Sequence, residues 1–257
     1  MAFRQLEIER GSDFNSAVSS NFKAYYDKLV VDEIEKESSR IPSKTFAPSS
    51  FRCDRLSYFR LRGVEPDKEA EKDVTLEFTA NIGTACHEII QKRLSESLKD
   101  NWIEVSTYLE ENPVPYQYKV TKDSKYETKV EFLDPPVRFA VDGIVKFGDE
   151  YYLLEIKTSE YNSFKALSEP KPNHIDQVKC YCSLLNIDKA LVFYLDRQYG
   201  ATKCFEVHVP DYEKEEVFKK MEHVLQCIKD NIAPARLPQG DYWCSYCKYK
   251  KRCEQWG

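Results

Sequence analysis

Two acidic residues and a lysine lie near one another in the middle of the chain. Asp142 follows the apolar run VRFAV, and Glu155 and Lys157 stand two residues apart in the apolar segment YYLLEIKTS. Because side chains alternate along a strand, Glu155 and Lys157 share one face of a sheet and Ile156 points to the other. A hairpin turning at FGDE would bring Asp142 beside Glu155. Two carboxylates and an amine would then meet at one place.

These groups suit one kind of chemistry. Carboxylate oxygens bind Mg²⁺ or Mn²⁺, and the metal lowers the pKa of a bound water and neutralises charge on a phosphoryl group. A nearby lysine orients the attacking water or stabilises the developing charge. The three residues therefore predict metal-dependent hydrolysis of a phosphodiester. The pattern E-x-K is weak alone, since Glu127 and Lys129 also satisfy it. A structural ion pair between Glu155 and Lys157 explains the same pattern.

Three further polar residues lie on predicted helices. His87 lies in NIGTACHEIIQKRLSESLKD, where Ile90 and Leu94 at i+3 and i+7 orient it towards the core. Gln177 and Tyr181 are four residues apart in KPNHIDQVKCYCSLLN and therefore share a helix face. Taken singly, each has a plain structural explanation, as a packed core histidine or an ordinary helix surface.

The chain ends in cysteines with the spacing C-x2-C-x5-C. Cys244, Cys247 and Cys253 supply three thiolates in DYWCSYCKYKKRCEQWG, one fewer than a tetrahedral metal site needs. Spacing alone favours Zn²⁺, because C-x2-C is the common zinc knuckle. The remaining cysteines of apolar or helical segments are predicted to be buried thiols: Cys86, Cys180, Cys182, Cys204 and Cys227.

Composition indicates a soluble globular protein. The 257 residues are 42% hydrophobic and 32% charged, enough for a sizeable core in one large domain or two small ones. No apolar run is long enough to span a membrane, and the N-terminus lacks the apolar stretch of a signal peptide. A reducing cytoplasm is therefore expected. The net charge of −5 argues against a globally basic nucleic-acid binder and still permits a local basic groove.

Hydrophobic periodicity predicts a mixed chain of helices and strands that position these residues. Predicted helices cover 13–40, 51–63, 81–100, 171–186 and 211–232, and a serine at 49 or 50 and Thr84 are candidate caps. Predicted strands cover 114–120, 125–132, 137–147, 151–159, 190–196 and 202–209. This order predicts an α/β or α+β fold with a central mixed sheet.

The motifs occur in a recognisable order. They are G-x-x-x-H at Gly83 and His87, V-D-G at Asp142, E-x-K at Glu155 and Lys157, and Q-x-x-x-Y at Gln177 and Tyr181. Over residues 47–257 the chain resembles the RecB-type branch of the PD-(D/E)xK nuclease superfamily, with Val141 in place of the motif's proline. Its iron–sulfur members, which include the AddB nuclease domain and the CRISPR-associated iron–sulfur exonucleases, carry one cysteine before the histidine helix and three near the C-terminus.

The resemblance implies a restriction-endonuclease-like core, with a central mixed sheet flanked by helices, over residues 47–257. Residues 1–46 are predicted to form a helical extension outside it. It implies a catalytic role for Lys157 and a positioning role for Gln177 and Tyr181, and it makes Glu131 a candidate for a further acidic residue. It also implies a site for one or two Mn²⁺ or Mg²⁺ ions, with ligands from His87, Asp142, Glu155 and the carbonyl of Ile156.

The resemblance further implies that Cys53 is the missing thiolate ligand. Four cysteines would then hold a 4Fe–4S cluster, with zinc as the alternative: Cys53, Cys244, Cys247 and Cys253. Such a clasp would join the two ends of the nuclease domain and stabilise it by closing a long loop. Basic and aromatic residues around it predict a groove for single-stranded DNA, or else a solvated basic tail: Arg52, Arg55, Tyr58, Lys248, Lys250, Lys251 and Arg252.

The expected function is that of a metal-dependent DNA exonuclease acting on single-stranded ends or flaps. The alternatives are a structure-specific endonuclease with the same site and a non-catalytic, metal-stapled nucleic-acid-binding module. DNA is the expected substrate, and a helicase, recombination or CRISPR-type protein is the expected partner. The expected location is the cytoplasm of a bacterium or phage-infected cell, without membrane association.

Overall fold

The structure is a computed structural model that describes residues 14–38, 43–67, 74–122 and 128–256. The helices found in these ranges are α1 (Phe14–Ser38), α2 (Asp54–Arg62), α3 (Val74–Leu98), α4 (Val105–Glu111), α5 (Tyr161–Ala166), α6 (Pro172–Leu185), α7 (Asp211–Lys229) and α8 (Lys250–Gln255). The strands are β1 (Trp102–Ile103), β2 (Tyr118–Lys122), β3 (Thr128–Leu133), β4 (Pro136–Val141), β5 (Gly143–Phe147), β6 (Glu150–Ser159), β7 (Lys189–Asp196) and β8 (Thr202–His208).

The chain divides into two compact units. The first takes Met1–Ile41 and Ala70–Asn81, and the second takes Pro42–Glu69 and Ile82–Gly257. All the elements from α4 onward belong to the second unit. The division into a 1–46 extension and a 47–257 nuclease domain concerns function, and it stays a prediction.

A five-stranded mixed sheet forms the centre of the second unit. Its strand order is β1-β5-β6-β7-β8, with β6 and β7 parallel and the other neighbours antiparallel. The parallel pair is connected through α5 and α6, as a parallel pair requires a crossover. Leu153, Leu154 and Ile156 of β6 are all buried, so this strand is covered on both faces. The predicted mixed sheet flanked by helices is confirmed.

A separate three-stranded antiparallel sheet, in the order β2-β3-β4, precedes the central one. β4 ends at Val141 and β5 begins at Gly143, so the chain changes sheets at Asp142. The prediction of one strand over 137–147 is therefore wrong. Buried residues alternate along β4, whereas Gly143, Ile144 and Val145 at the start of β5 are all buried. A Cβ on Gly143 would lie 2.5 Å from the ring of Trp102, which explains why a glycine begins β5.

Two predicted helix starts are also wrong. A single 3-10 turn covers Pro48–Ser50, and the residue before α2 is Cys53, whose side chain makes no capping hydrogen bond. The predicted end of α2 is confirmed at Gly63, which takes the left-handed conformation with φ +66°. α3 begins at Val74, about three turns before the predicted cap, so Thr84 lies inside the helix.

The cysteines outside the predicted clasp differ in burial. Cys180 and Cys182 on α6 are buried, as predicted, and burial raises the pKa of both thiols. Cys86 and Cys227 are half-buried. Cys204 is exposed, contrary to the prediction, because β8 is an edge strand of the central sheet. Within the described ranges, no helix combines the length and the apolar character needed to cross a membrane.

Candidate active site

The predicted carboxylates meet where the chain passes between the two sheets. The register of β5 and β6 pairs Gly143 with Leu154, which puts Asp142 next to Glu155. Asp142 Oδ2 accepts a hydrogen bond from the backbone N–H of Ile156 at 2.7 Å. Glu155 is only 3% exposed. The hairpin therefore brings the two carboxylates together inside the protein, as its sequence predicts.

Lys157 connects Glu155 to helix α6. Its Nζ lies 2.5 Å from Glu155 Oε1 and donates to Gln177 Oε1 at 3.0 Å. Gln177 Nε2 donates to the hydroxyl of Tyr181 at 2.6 Å. The four side chains form a continuous polar chain from the sheet into the helix. The ion pair between Glu155 and Lys157, which was the structural alternative to a catalytic role, is therefore present as part of a larger cluster.

The electrostatics of this cluster are set mainly by burial. Burial raises the pKa of Glu155 to about 7, and the nearby charge of Asp142 adds to the rise. The ammonium of Lys157 acts in the opposite direction without cancelling the effect of burial. Burial also raises the pKa of Tyr181, with Glu155 contributing, so Tyr181 stays protonated at neutral pH.

Helix α3 reaches the cluster through His87. Its Nδ1 lies 3.3 Å from Asp142 Oδ1. One turn later, Gln91 is 3% exposed and donates from Nε2 to the backbone carbonyl of Asp142 at 2.8 Å. Sequence analysis missed Gln91, although its i+4 spacing from His87 gives it the same helix face. One turn earlier, Gly83 would place a Cβ only 3.3 Å from Thr158 Oγ1, so the glycine allows α3 to approach β6.

A second polar pair, also missed from the sequence, lies beside Lys157. Tyr194 is the register partner of Lys157 on β7, and its hydroxyl lies 2.6 Å from Nδ1 of His174 on α6. The same hydroxyl accepts from the backbone N–H of Lys171 at 3.0 Å. Burial lowers the pKa of His174 to about 3, with Lys157 contributing, so the imidazole is neutral.

The donor types in the cluster fit a hard divalent cation. Two carboxylates and an imidazole converge, and a cation would stabilise the buried charge of Glu155. Within the described residues, however, no three His, Cys, Asp or Glu side chains already stand in metal-binding geometry. Lys157 pairs with only one of the two Glu155 oxygens, Oε1. Glu131 lies opposite Arg138 in the three-stranded sheet, and it is not among the groups that meet at Asp142.

The C-terminal tail packs against α2. Arg55 is 5% exposed and donates from Nε to the carbonyl of Pro234 at 2.7 Å and from Nη1 to that of Cys253 at 3.4 Å. The ring of Phe59 stacks on Tyr249 and Trp256, with centroids 5.6 and 5.1 Å away. These contacts join residues about 190 positions apart in sequence, without any disulfide.

The four cysteines of the predicted cluster lie near one another in this packing. Burial raises the pKa of Cys53, and charge on Cys247 or Cys253 would raise it further. Burial also raises the pKa of Cys244, and Cys253 is among the charged neighbours that would add to it. Burial also raises the pKa of Cys247, so a nearby cation would favour the thiolate forms of Cys53, Cys244 and Cys247. Among the described residues, these thiols do not already stand in metal-binding geometry.

The residues predicted to contact DNA fall into three groups. Arg55 and Tyr58 are buried, at 5% and 1% exposure, so the prediction of a DNA contact is wrong for both. Arg52 pairs with Asp241 at 3.3 Å. The backbone N–H of Arg252 donates to Asp67. The fully exposed members of the set lie in the tail: Lys248, Lys250 and Lys251.

Comparison with known proteins gives a fold relationship. No protein-family model matches this chain, and no curated protein does. The crystal structure of SSO0001 matches with a TM-score of 0.50 at 14% identity, over 92% of this chain and 98% of that one. A crystal structure of the alkaline exonuclease LHK-Exo from Laribacter hongkongensis matches at a TM-score of 0.38 and 12% identity, over 76% of this chain and 93% of that one. The crystal structure of LHK-Exo in complex with dAMP matches with a TM-score of 0.37 at 14% identity, over 76% of this chain and 91% of that one. At 14% identity, the match with SSO0001 indicates a shared fold and nothing about the chemistry of this chain.

Proposed function

We propose that this chain is a metal-dependent DNA nuclease of the PD-(D/E)xK type. The observation that carries the proposal is the meeting of Asp142, Glu155 and Lys157 at the junction of the two sheets, with His87 against Asp142. A buried carboxylate pair beside an amine is costly unless it serves a bound cation or a reaction.

Asp142, Glu155, His87 and the Ile156 carbonyl would hold Mn²⁺ or Mg²⁺. When bound, the ion supplies an activated water and neutralises charge on the scissile phosphate. Lys157 pairs with Oε1 of Glu155 and also donates to Gln177, so the ammonium would lie beside such an ion.

Helix α6 fixes the orientation of that lysine. Because Gln177 Nε2 donates to Tyr181, its Oε1 must face Lys157. The buried Tyr181 accepts this bond in a rigid part of the core. Lys157 is thereby held where its charge can stabilise the negative charge that develops on the phosphate. Gln91 is a positioning residue, since it fixes the backbone at Asp142.

The substrate we propose is single-stranded DNA, cut from its ends or at flaps. Support comes from the exposed lysines of the tail and from the exposed rings of Tyr242 and Tyr246, whose hydroxyls lie 3.2 Å apart. Lysines bind phosphates, and aromatic faces stack on unpaired bases. An endonuclease with the same site is the alternative.

We also propose that the clasp holds a 4Fe–4S cluster on Cys53, Cys244, Cys247 and Cys253, with zinc as the alternative. The support is the mutual proximity of the four thiols and the tight packing of the tail on α2. The binding free energy of such a centre contributes directly to folding.

The test is cleavage of linear and circular single-stranded DNA in Mn²⁺. The wild type should degrade linear strands and leave circles intact, and Lys157→Ala should abolish cleavage. Lys129→Ala is the matched control, because Lys129 lies in another E-x-K sequence of the chain, and this variant should cleave normally. Cleavage of circular strands would favour an endonuclease. If neither linear nor circular strands were cleaved in Mn²⁺, the proposal that this chain is an enzyme would be refuted.

A further inference from the structure

Two exposed tyrosines stand together at the edge of the central sheet where β6 and β7 end. Tyr161 is the first residue of α5, directly after β6, and Tyr199 lies in the turn after β7. Their ring centroids are 4.9 Å apart at an interplanar angle of 80°. They are 36% and 68% exposed, so this tyrosine pair presents aromatic surface to solvent. Single exposed aromatics are common, whereas a rigid adjacent pair is a candidate contact site.

The pair is built on a fixed backbone. Asp196 is 1% exposed, and its carboxylate accepts from the backbone N–H groups of Gln198 at 3.0 Å and Tyr199 at 3.2 Å. The backbone N–H of Arg197 donates to the carbonyl of Ser159 at 3.0 Å, which ties the end of β7 to the end of β6. Gln198 Nε2 donates to the Tyr199 hydroxyl at 3.1 Å. A ring held in this way loses little conformational entropy when it binds a ligand.

The pair is also close to the candidate active site. Tyr161 follows Lys157 by four residues, at most about 14 Å of extended chain. Because β6 and β7 are parallel, their carboxyl ends meet at one edge of the sheet, and Lys157 lies two residues before that edge. A strand bound at the carboxylates would therefore continue past the tyrosines.

We infer that the tyrosine pair is a stacking site for unpaired nucleobases adjacent to the scissile phosphate. The inference rests on the proposed function, because it takes the substrate to be single-stranded DNA. The exposed aromatic surface of the two rings suits a flat aromatic ligand, and stacking is tolerant of base identity. The substrate class this implies is a strand with unstacked bases at its end.

The test is binding of two labelled oligonucleotides in EDTA, one with all its bases and one with abasic residues in their place. The wild type should bind the first more tightly. The double variant Tyr161→Ala, Tyr199→Ala should reduce this preference, with a Kd for the intact strand weakened by between about 5-fold and 100-fold. The double variant Tyr161→Phe, Tyr199→Phe should keep the wild-type preference for intact strands. Tyr212→Ala, which removes an exposed tyrosine from α7, should keep it too.

A double leucine variant guards against a folding defect, since it keeps apolar volume at both positions and removes the aromatic faces. It should reduce the preference for intact strands as much as the alanine variant does, while melting at the wild-type temperature. A wild type without base preference would overturn the inference, and so would full preference in the alanine and leucine variants. EDTA prevents metal-dependent cleavage, so a wild type that prefers intact strands and never cuts them in Mn²⁺ would refute only the proposed function.

Discussion

Replacing Glu155 by glutamine should stabilise the metal-free protein while removing its activity. The carboxylate is buried, and burial raises its pKa from 4.5 to about 7. At about 1.4 kcal/mol for each unit of pKa, the charged form costs the fold about 3 kcal/mol. Glutamine resembles the neutral acid in shape, so Glu155→Gln avoids this cost.

The pH dependence follows from the direction of the pKa change. Below about pH 4.5, Glu155 is protonated in both the folded and the unfolded chain, so wild type and variant should have similar stability. As pH rises from there to about 7, the wild type loses stability relative to Glu155→Gln, and the gap stays constant above that range. For a chain of this size the gap at pH 8 corresponds to about 6–12 °C in Tm.

The assay is thermal unfolding in EDTA at several pH values, with the cysteine site in the same state for each protein. Glu88→Gln, at an exposed position on α3, is the matched control and should show no gap. Adding Mn²⁺ should raise the Tm of the wild type more than that of Glu155→Gln. A variant that is less stable than wild type at pH 8 would refute this reasoning, because Glu155 would then act as a structural ion-pair partner.

Three further predictions concern the tail and the sheet junction. Cys53→Ala should lose the visible absorbance of an iron–sulfur centre and lower Tm, and unchanged absorbance would contradict the ligand assignment. Lys248→Ala with Lys250→Ala should reduce the slope of log K against log salt for single-stranded DNA by about 1.4, and an unchanged slope would contradict the basic groove. Gly143→Ala should lower Tm and activity together, because its Cβ would clash with Trp102 at 2.5 Å; wild-type behaviour would show that the ring moves freely.

The geometry of the candidate site could be predicted from the sequence because it depends on short-range periodicity. The two-residue spacing of Glu155 and Lys157 and the four-residue spacing of Gln177 and Tyr181 each fix a shared face. The hairpin then brings Asp142 to the same place. These relations need no knowledge of the rest of the fold.

The features that sequence analysis missed depend on long-range packing. Apolar residues recur at alternate positions from Val137 to Val141 and again at Val145 and Phe147, so no local pattern reveals that the chain changes sheets at Asp142. Arg55 and Tyr58 look like nucleic-acid contacts by residue type, and only the tail folding back on α2 buries them. The side chain of Arg55 donates hydrogen bonds to the carbonyls of Pro234 and Cys253, which are far away in the sequence. The residues next to Arg55 in the sequence give no sign of these contacts.

The central claim is that Asp142, Glu155 and Lys157 form a metal-dependent phosphodiesterase site. The most direct measurement is the initial rate of nucleotide release from labelled single-stranded DNA, with Mn²⁺ or EDTA, for wild type and Asp142→Asn. The wild type should release nucleotides only with Mn²⁺, and the variant should be slower by at least about 100-fold, since it loses one ligand charge without losing side-chain volume. Release by wild type in EDTA, or equal rates for the two proteins, would contradict the claim.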